Sequence, residues 1–182
     1  IIYRNKAKIN DDIYVTGNIG DSYMGLLIIK KKFKFKSSIN NFFINSYYKP
    51  DIKYSLIKII KKFATSSIDI SDGLLSDLEK MTNNQNISYK IFLNKVPISK
   101  KLLNALKKKK LSKKNYISNG DDYQILFSAP KSSRKLIKSL NKKYRESITR
   151  IGEIIKNKGF SSLVDKNNLN IKVKNKGYKH KF

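Results

Sequence analysis

The chain has 182 residues, 40 Lys plus Arg against 13 Asp plus Glu, a formal charge of +27, one His, and neither Cys nor Trp. With 40% hydrophobic and 11% aromatic residues it can bury one core, so a single compact domain is expected and a disordered tail is not. The lack of Cys excludes disulfides, thiolate metal sites and Cys nucleophiles, and His180 alone cannot furnish a His-based zinc site.

No apolar run approaches the roughly 20 residues of a membrane span, and Ile1 to Asn10 lacks the apolar stretch of a secretory signal. A soluble, cytoplasmic protein is expected, and the non-Met start suggests that residues precede Ile1. A charge of +27 fits a nucleic-acid binder. However, Lys supplies 36 of the 40 basic residues and Arg 4, whereas base readout favours the bidentate guanidinium. Lys, Asn and Ile together fill 81 positions, the pattern that A/T-rich codons produce. A chain so poor in carboxylates directs attention to the acids that cluster beside Gly and Ser.

In chain order, Asp12 to Thr16 reads as a strand that ends at Gly17, and Gly20-Asp21-Ser22 opens a helix through Ile29. Ile39 to Tyr48 and Lys53 to Ala64 carry helical spacing, with a break at Pro50. Thr65 to Ile70 is a strand, and Leu74, Leu75, Leu78 and Met81 then mark an amphipathic helix. Strand Ile87 to Leu93, helix Lys100 to Leu111, strand Tyr123 to Ser128, helix Ser132 to Tyr144 and strand Ile148 to Ile155 follow. Two weaker strands are expected near Ser161 to Val164 and Leu169 to Val173. The Lys30 to Lys32 and Lys107 to Lys110 runs read as solvated helix ends. This alternation predicts an α/β (α+β) fold: a mixed sheet covered by helices, partly parallel at first and more antiparallel toward the end.

Three segments could carry chemistry. In Ser67-Ile68-Asp69-Ile70-Ser71-Asp72-Gly73, two carboxylates three apart at a strand-to-helix turn can face one pocket where hard cations bind through oxygen. Ser71 and the amides near Asp72 and Gly73 could meet phosphate there. The same residues also suit an ordinary helix start, with Asp72 as cap and Asp77 and Glu79 facing solvent. Asn119-Gly120-Asp121-Asp122-Tyr123 places two acids at a glycine turn. Gly17-Asn18-Ile19-Gly20-Asp21 has the shape of a phosphate loop but lacks the Gly-Lys-Ser/Thr ending.

Together the motifs are more specific. Tyr14-Val15-Thr16-Gly17 with Gly20-Asp21, Asp69-Ile70-Ser71-Asp72-Gly73-Leu74 with Ser76-Asp77-Leu78, Gly120-Asp121-Asp122-Tyr123, Arg150-Ile151-Gly152-Glu153-Ile154, and Gly177-Tyr178-x-His180 occur in this order. The set resembles the C-terminal domain of the thiamine-monophosphate kinase family, from about Arg4 to His180. Related Asp-Ile-Ser-Asp-Gly segments occur in the wider superfamily of aminoimidazole ribonucleotide synthetase. The resemblance implies ATP-dependent phosphorylation of thiamine monophosphate to thiamine diphosphate, with Mg²⁺ and no covalent enzyme intermediate.

By resemblance, Asp69 and Asp72 would bind Mg²⁺, Arg4 and Ser71 would contact ATP, and Asp121 and Tyr178 would contact the thiamine phosphate. No residue is assigned as acid, base or nucleophile. Asp121 stands where the family usually has Glu, one methylene longer. Residues 1–182 would be the C-terminal domain alone, without the family's N-terminal domain, which carries a Gly-Asp-Asp segment and forms a dimer. The isolated chain is therefore expected to have little kinase activity. Another ATP-using member of the superfamily and a basic nucleic-acid-binding module are the competing readings; nucleic acid is not the expected partner.

Overall fold

The computed structural model describes residues 1–144, 147–173 and 176–177. Its frame is a six-stranded sheet in the order β2-β4-β1-β5-β3-β6. The strands are β1 (Asp12–Thr16), β2 (Ser66–Asp69), β3 (Ile87–Phe92), β4 (Ile125–Ala129), β5 (Ile148–Lys156) and β6 (Ser162–Val164). The helices are α1 (Asp21–Ile29), α2 (Ser37–Tyr48), α3 (Tyr54–Ile60), α4 (Leu74–Thr82), α5 (Lys100–Lys108), α6 (Lys113–Ile117) and α7 (Arg134–Tyr144).

The mixed, helix-covered sheet is as expected, but its directions differ from the expectation. β1 lies antiparallel to both β4 and β5, β2 to β4 and β3 to β5, and among the described residues the one parallel pair is β3 with β6. Alternation of strands and helices fixes which elements exist but not which strands pair. Here β1, buried at every position, lies at the centre and takes partners more than 100 positions away.

Those faces are legible in the alternation of β1. Ile13 and Val15 pack on one side with Leu74, Leu75, Leu78 and Met81 of α4. Each such side chain stabilises the fold by about 1.5–3 kcal/mol on full burial. Tyr14 faces the other side, against Leu56 and Ile60 of α3, Phe127 of β4 and Ile137 of α7. A third cluster joins α1, α2, α5 and α6 through Met24, Phe43, Leu102 and Tyr116. Gly25 of α1 runs so close to α2 that a Cβ there would overlap the Phe43 carbonyl.

Two local differences have plain causes. Leu169 to Val173 forms no strand: Asp165 Oδ1 accepts the amides of Asn167 and Leu169, Asn168 is left-handed, and only a bridge between Val164 and Asn170 remains. β4 starts at Ile125 rather than Tyr123, because Asp121 and Tyr123 are left-handed, with φ of 67° and 51°. The short helix α6 had no counterpart among the sequence expectations; five residues are too few for a visible period.

Candidate active site

β1 and β2 run toward one end of the sheet, and β4 starts from that end. Asp69 is in register with Ile125, whose amide donates to Thr16 Oγ1 at 2.9 Å. The three glycine- and acid-bearing connections, 17–21, 70–73 and 119–124, therefore emerge side by side.

Hydrogen bonds tie them together. The Asp121 amide donates to the Ser71 carbonyl and the Tyr123 amide to the Ile70 carbonyl, both at 2.9 Å, while the Ile70 amide donates to Gln124. Gly120 makes this approach possible, since a Cβ there would overlap the Ser71 carbonyl oxygen. The Gly20 amide donates to both carboxylate oxygens of Asp122, at 3.0 and 2.9 Å. Burial pushes the Asp122 carboxyl well above the usual range, and the charges of Asp21 and Asp121 act in the same direction against the Gly20 and Ser22 amides. The phosphate-loop shape of residues 17–21 thus has an internal occupant: Asp122 takes the Gly20 amide that an anion would need. Next to it, burial raises the Asp21 carboxyl to about 6, although the Ser99 hydroxyl donates to it at 2.7 Å.

At the second turn, Asp69 is exposed at the end of β2, while Ser71 and Asp72 are half-buried. The amides of Ser71, Asp72 and Gly73 do not lie open to phosphate as expected. All three donate to Asp77 Oδ2, at 3.0, 3.0 and 3.1 Å. Asp77 is fully buried instead of facing solvent, and caps the turn in place of Asp72. A carboxylate within the first helical turn was the available signal, since such groups reach back to orphan amides. Lys80 completes the arrangement, with Nζ 2.7 Å from Asp77 Oδ1 and 2.5 Å from Asp72 Oδ2.

The two acidic turns also sense each other electrostatically. Burial raises the Asp121 carboxyl, and the charge of Asp72 raises it further. Carboxylates that repel one another at an accessible edge suit a hard cation. Among the described residues no three acidic or histidine side chains form a group that could hold a metal ion by themselves. Mg²⁺ commonly uses one or two carboxylates and completes its shell with water and substrate phosphate, so the residues present fit that mode.

The other expected residues lie as follows. Arg4 is exposed, and its carbonyl accepts from Ser66 Oγ at 2.9 Å beside the start of β2. Ile1 and Ile2 line a cleft of about 380 Å³ with Ile57, Ile68, Asp69 and Ile125. Tyr178 and His180 lie outside the described residues. Gly177 presses on α4, where a Cβ would overlap Ser76, and the Ser76 amide donates to the Lys176 carbonyl at 2.9 Å. Arg150 belongs to the opposite end of the sheet, where it and Arg134 pair with buried Asp12. Against the effect of burial, these two guanidinium groups hold the Asp12 carboxyl below its usual range.

A family model, AIR synthase related protein, C-terminal domain, matches residues 8–165. The chain belongs to this family. Among its relatives, the thiamine-monophosphate kinase of Buchnera aphidicola subsp. Acyrthosiphon pisum is 35% identical over 98% of this chain and 55% of its own length. The structure of AaThiL complexed with AMPPCP and TMP superposes with a TM-score of 0.80 at 26% identity, over 98% of this chain and 54% of that one. The thiamine-monophosphate kinase of Stenotrophomonas maltophilia K279a gives 0.79 at 25% identity, over 89% and 52%. The chain spans about half the length of the curated relatives it matches. Among the described residues, no helix is long and apolar enough to cross a membrane.

Proposed function

We propose that residues 1–182 act as the C-terminal domain of a thiamine-monophosphate kinase, which transfers the γ-phosphoryl group of ATP to thiamine monophosphate. The observation that carries this reading is the meeting of the Asp69–Gly73 turn with the Asp121 turn at one end of the sheet, close enough for Asp72 to raise Asp121. The relatives with this name, and the AMPPCP and TMP in the complex of one of them, support it.

In this reading Asp69 and Asp72 hold Mg²⁺, which supplies charge neutralisation at the phosphates. Ser71 and Arg4 contact ATP, while Asp121 and Tyr178 orient the thiamine phosphate. Phosphoryl transfer depends on positioning and electrostatics rather than on a covalent intermediate, which accords with a site that has no Cys. Asp121 reaches less far than Glu, but its amide donates to the Ser71 carbonyl, which ties its backbone to the Asp72 turn. An N-terminal domain with further acids would complete the site and make the dimer, in the cytoplasm.

The test is an ATP- and thiamine-monophosphate-dependent assay for thiamine diphosphate on a protein that contains both halves. Asp69→Asn and Asp72→Asn should each lower kcat by about 100-fold or more, the scale of lost transition-state charge stabilisation. The 182-residue chain alone should show no turnover. Rapid turnover by the isolated chain, or full activity of both variants, would remove the reading. Turnover with a different phosphate acceptor only would point to another ATP-using enzyme of the superfamily.

A further inference from the structure

Lys80 is used by nothing in the reading above, yet it contacts the carboxylate assigned to metal. Its ammonium bridges Asp72 Oδ2 at 2.5 Å and Asp77 Oδ1 at 2.7 Å. The two contacts are not equivalent. Asp77 is fully buried and already receives three backbone amides, so its position is fixed without the lysine. Asp72 keeps 22% of its side chain exposed and Lys80 37%, so the outer contact can open to solvent while the inner one persists.

The lysine therefore places a positive charge on the carboxylate to which a cation would bind. Asp72, Asp77 and Lys80 together carry a formal charge of −1 instead of −2. A divalent ion at Asp72 must either share the carboxylate with the ammonium at close range or displace it, and both lower its affinity.

We propose that Lys80 is a built-in counter-ion for Asp72 that a divalent metal must displace, so that this positioning residue sets how weakly the carboxylate binds free metal. The proposal rests on the reading of Asp72 as a metal ligand. It adds that a bound metal releases the ammonium from Asp72 while Asp77 still holds it nearby.

The test is titration with Mn²⁺ of the protein that contains both halves, with AMPPCP present and free ion followed by electron paramagnetic resonance, at fixed pH and ionic strength. Lys80→Met should bind Mn²⁺ about tenfold more tightly than the natural chain, and Lys80→Arg, which keeps the charge, should stay within about threefold of it. Adding Asp72→Asn to Lys80→Met should remove the gain. Circular dichroism melts identify any variant that fails to fold, and Lys80→Gln then replaces Lys80→Met.

An unchanged or weaker affinity in Lys80→Met, with Asp72→Asn still weakening binding, would overturn the role of Lys80 and leave the metal assignment standing. Binding that ignores Asp72→Asn in both backgrounds would overturn the metal assignment itself. Failure of the natural chain and Lys80→Met alike to bind Mn²⁺ would overturn both.

Discussion

Gly120 and Ser71 touch backbone to backbone: the carbonyl of Ser71 occupies the space that any side chain on residue 120 would need. The contact holds the Asp121 turn against the Asp72 turn. Gly120→Ala should therefore lower stability by about 1–3 kcal/mol, as overpacking does, and move Asp121 away from Asp72. Chemical denaturation reads the first effect. The second appears as a fall in the NMR-detected pKa of Asp121, which burial raises most and the Asp72 charge raises further, as that charge recedes.

Asp77 is the acceptor for three amides at the start of α4. Asp77→Ala leaves those donors without their partner, and a loss of about 2–4 kcal/mol is expected. Asp77→Asn keeps an acceptor oxygen and should cost about half as much. Equal costs would show that charge, rather than hydrogen bonding, carries the cap.

For Asp21, folding raises the carboxyl from 3.8 to about 6, through burial. The native state then holds a proton that the unfolded state has released, so stability falls as pH rises from about 4 to above 6. Asp21→Asn keeps an acceptor for the Ser99 hydroxyl and removes this loss. Its melting temperature should match the natural chain near pH 4 and exceed it by pH 7, with a gain of up to about 2–3 kcal/mol for a shift of this size. A constant difference across that range would assign the raised proton affinity elsewhere.

Asp12 behaves in the opposite sense. Arg134 and Arg150 keep its carboxyl low, so the stabilisation they give is present above the ordinary carboxylate pKa and lost as pH falls through the native one. Replacing both arginines with Met strands a buried carboxylate, and a loss of about 3–5 kcal/mol at pH 7 is expected. The deficit should shrink on acidification, as the unpaired carboxyl takes up a proton in the native state.

How much of this was readable depended on range. Apolar spacing within about ten residues located β1, β2, α1 and α4, because each buries apolar residues, those of β1, β2 and α4 in one cluster and those of α1 in another. The pairing of β2 with β4 left no local trace, and neither did the contact of Ser71 with Gly120. Both arise from register between segments about 50 to 60 positions apart. The role of Asp77 is hidden for a related reason: where the helix starts decides whether an acid reaches back to orphan amides or points to water. Gly73, at φ 126°, starts α4 at Leu74 and brings Asp77 within reach of them. The Arg150 motif kept its order in the chain, yet it lies on β5, where it holds the other end of the sheet together.

The central place of β1 has a consequence for how the chain comes to be folded. Its five residues are complete by Thr16, but their partners are residues 126–129 and 148–153, and the Gly20–Asp122 link spans 102 positions. Once made, this strand must therefore wait, with both edges unpaired, until the later strands β4 and β5 have been synthesised. Such long-range closure slows folding, and unpaired edges invite association between copies during the wait. The end of the sheet that gathers the acids would then be among the last parts to form, and yield of folded protein should depend more on synthesis rate and chaperone supply than on final stability.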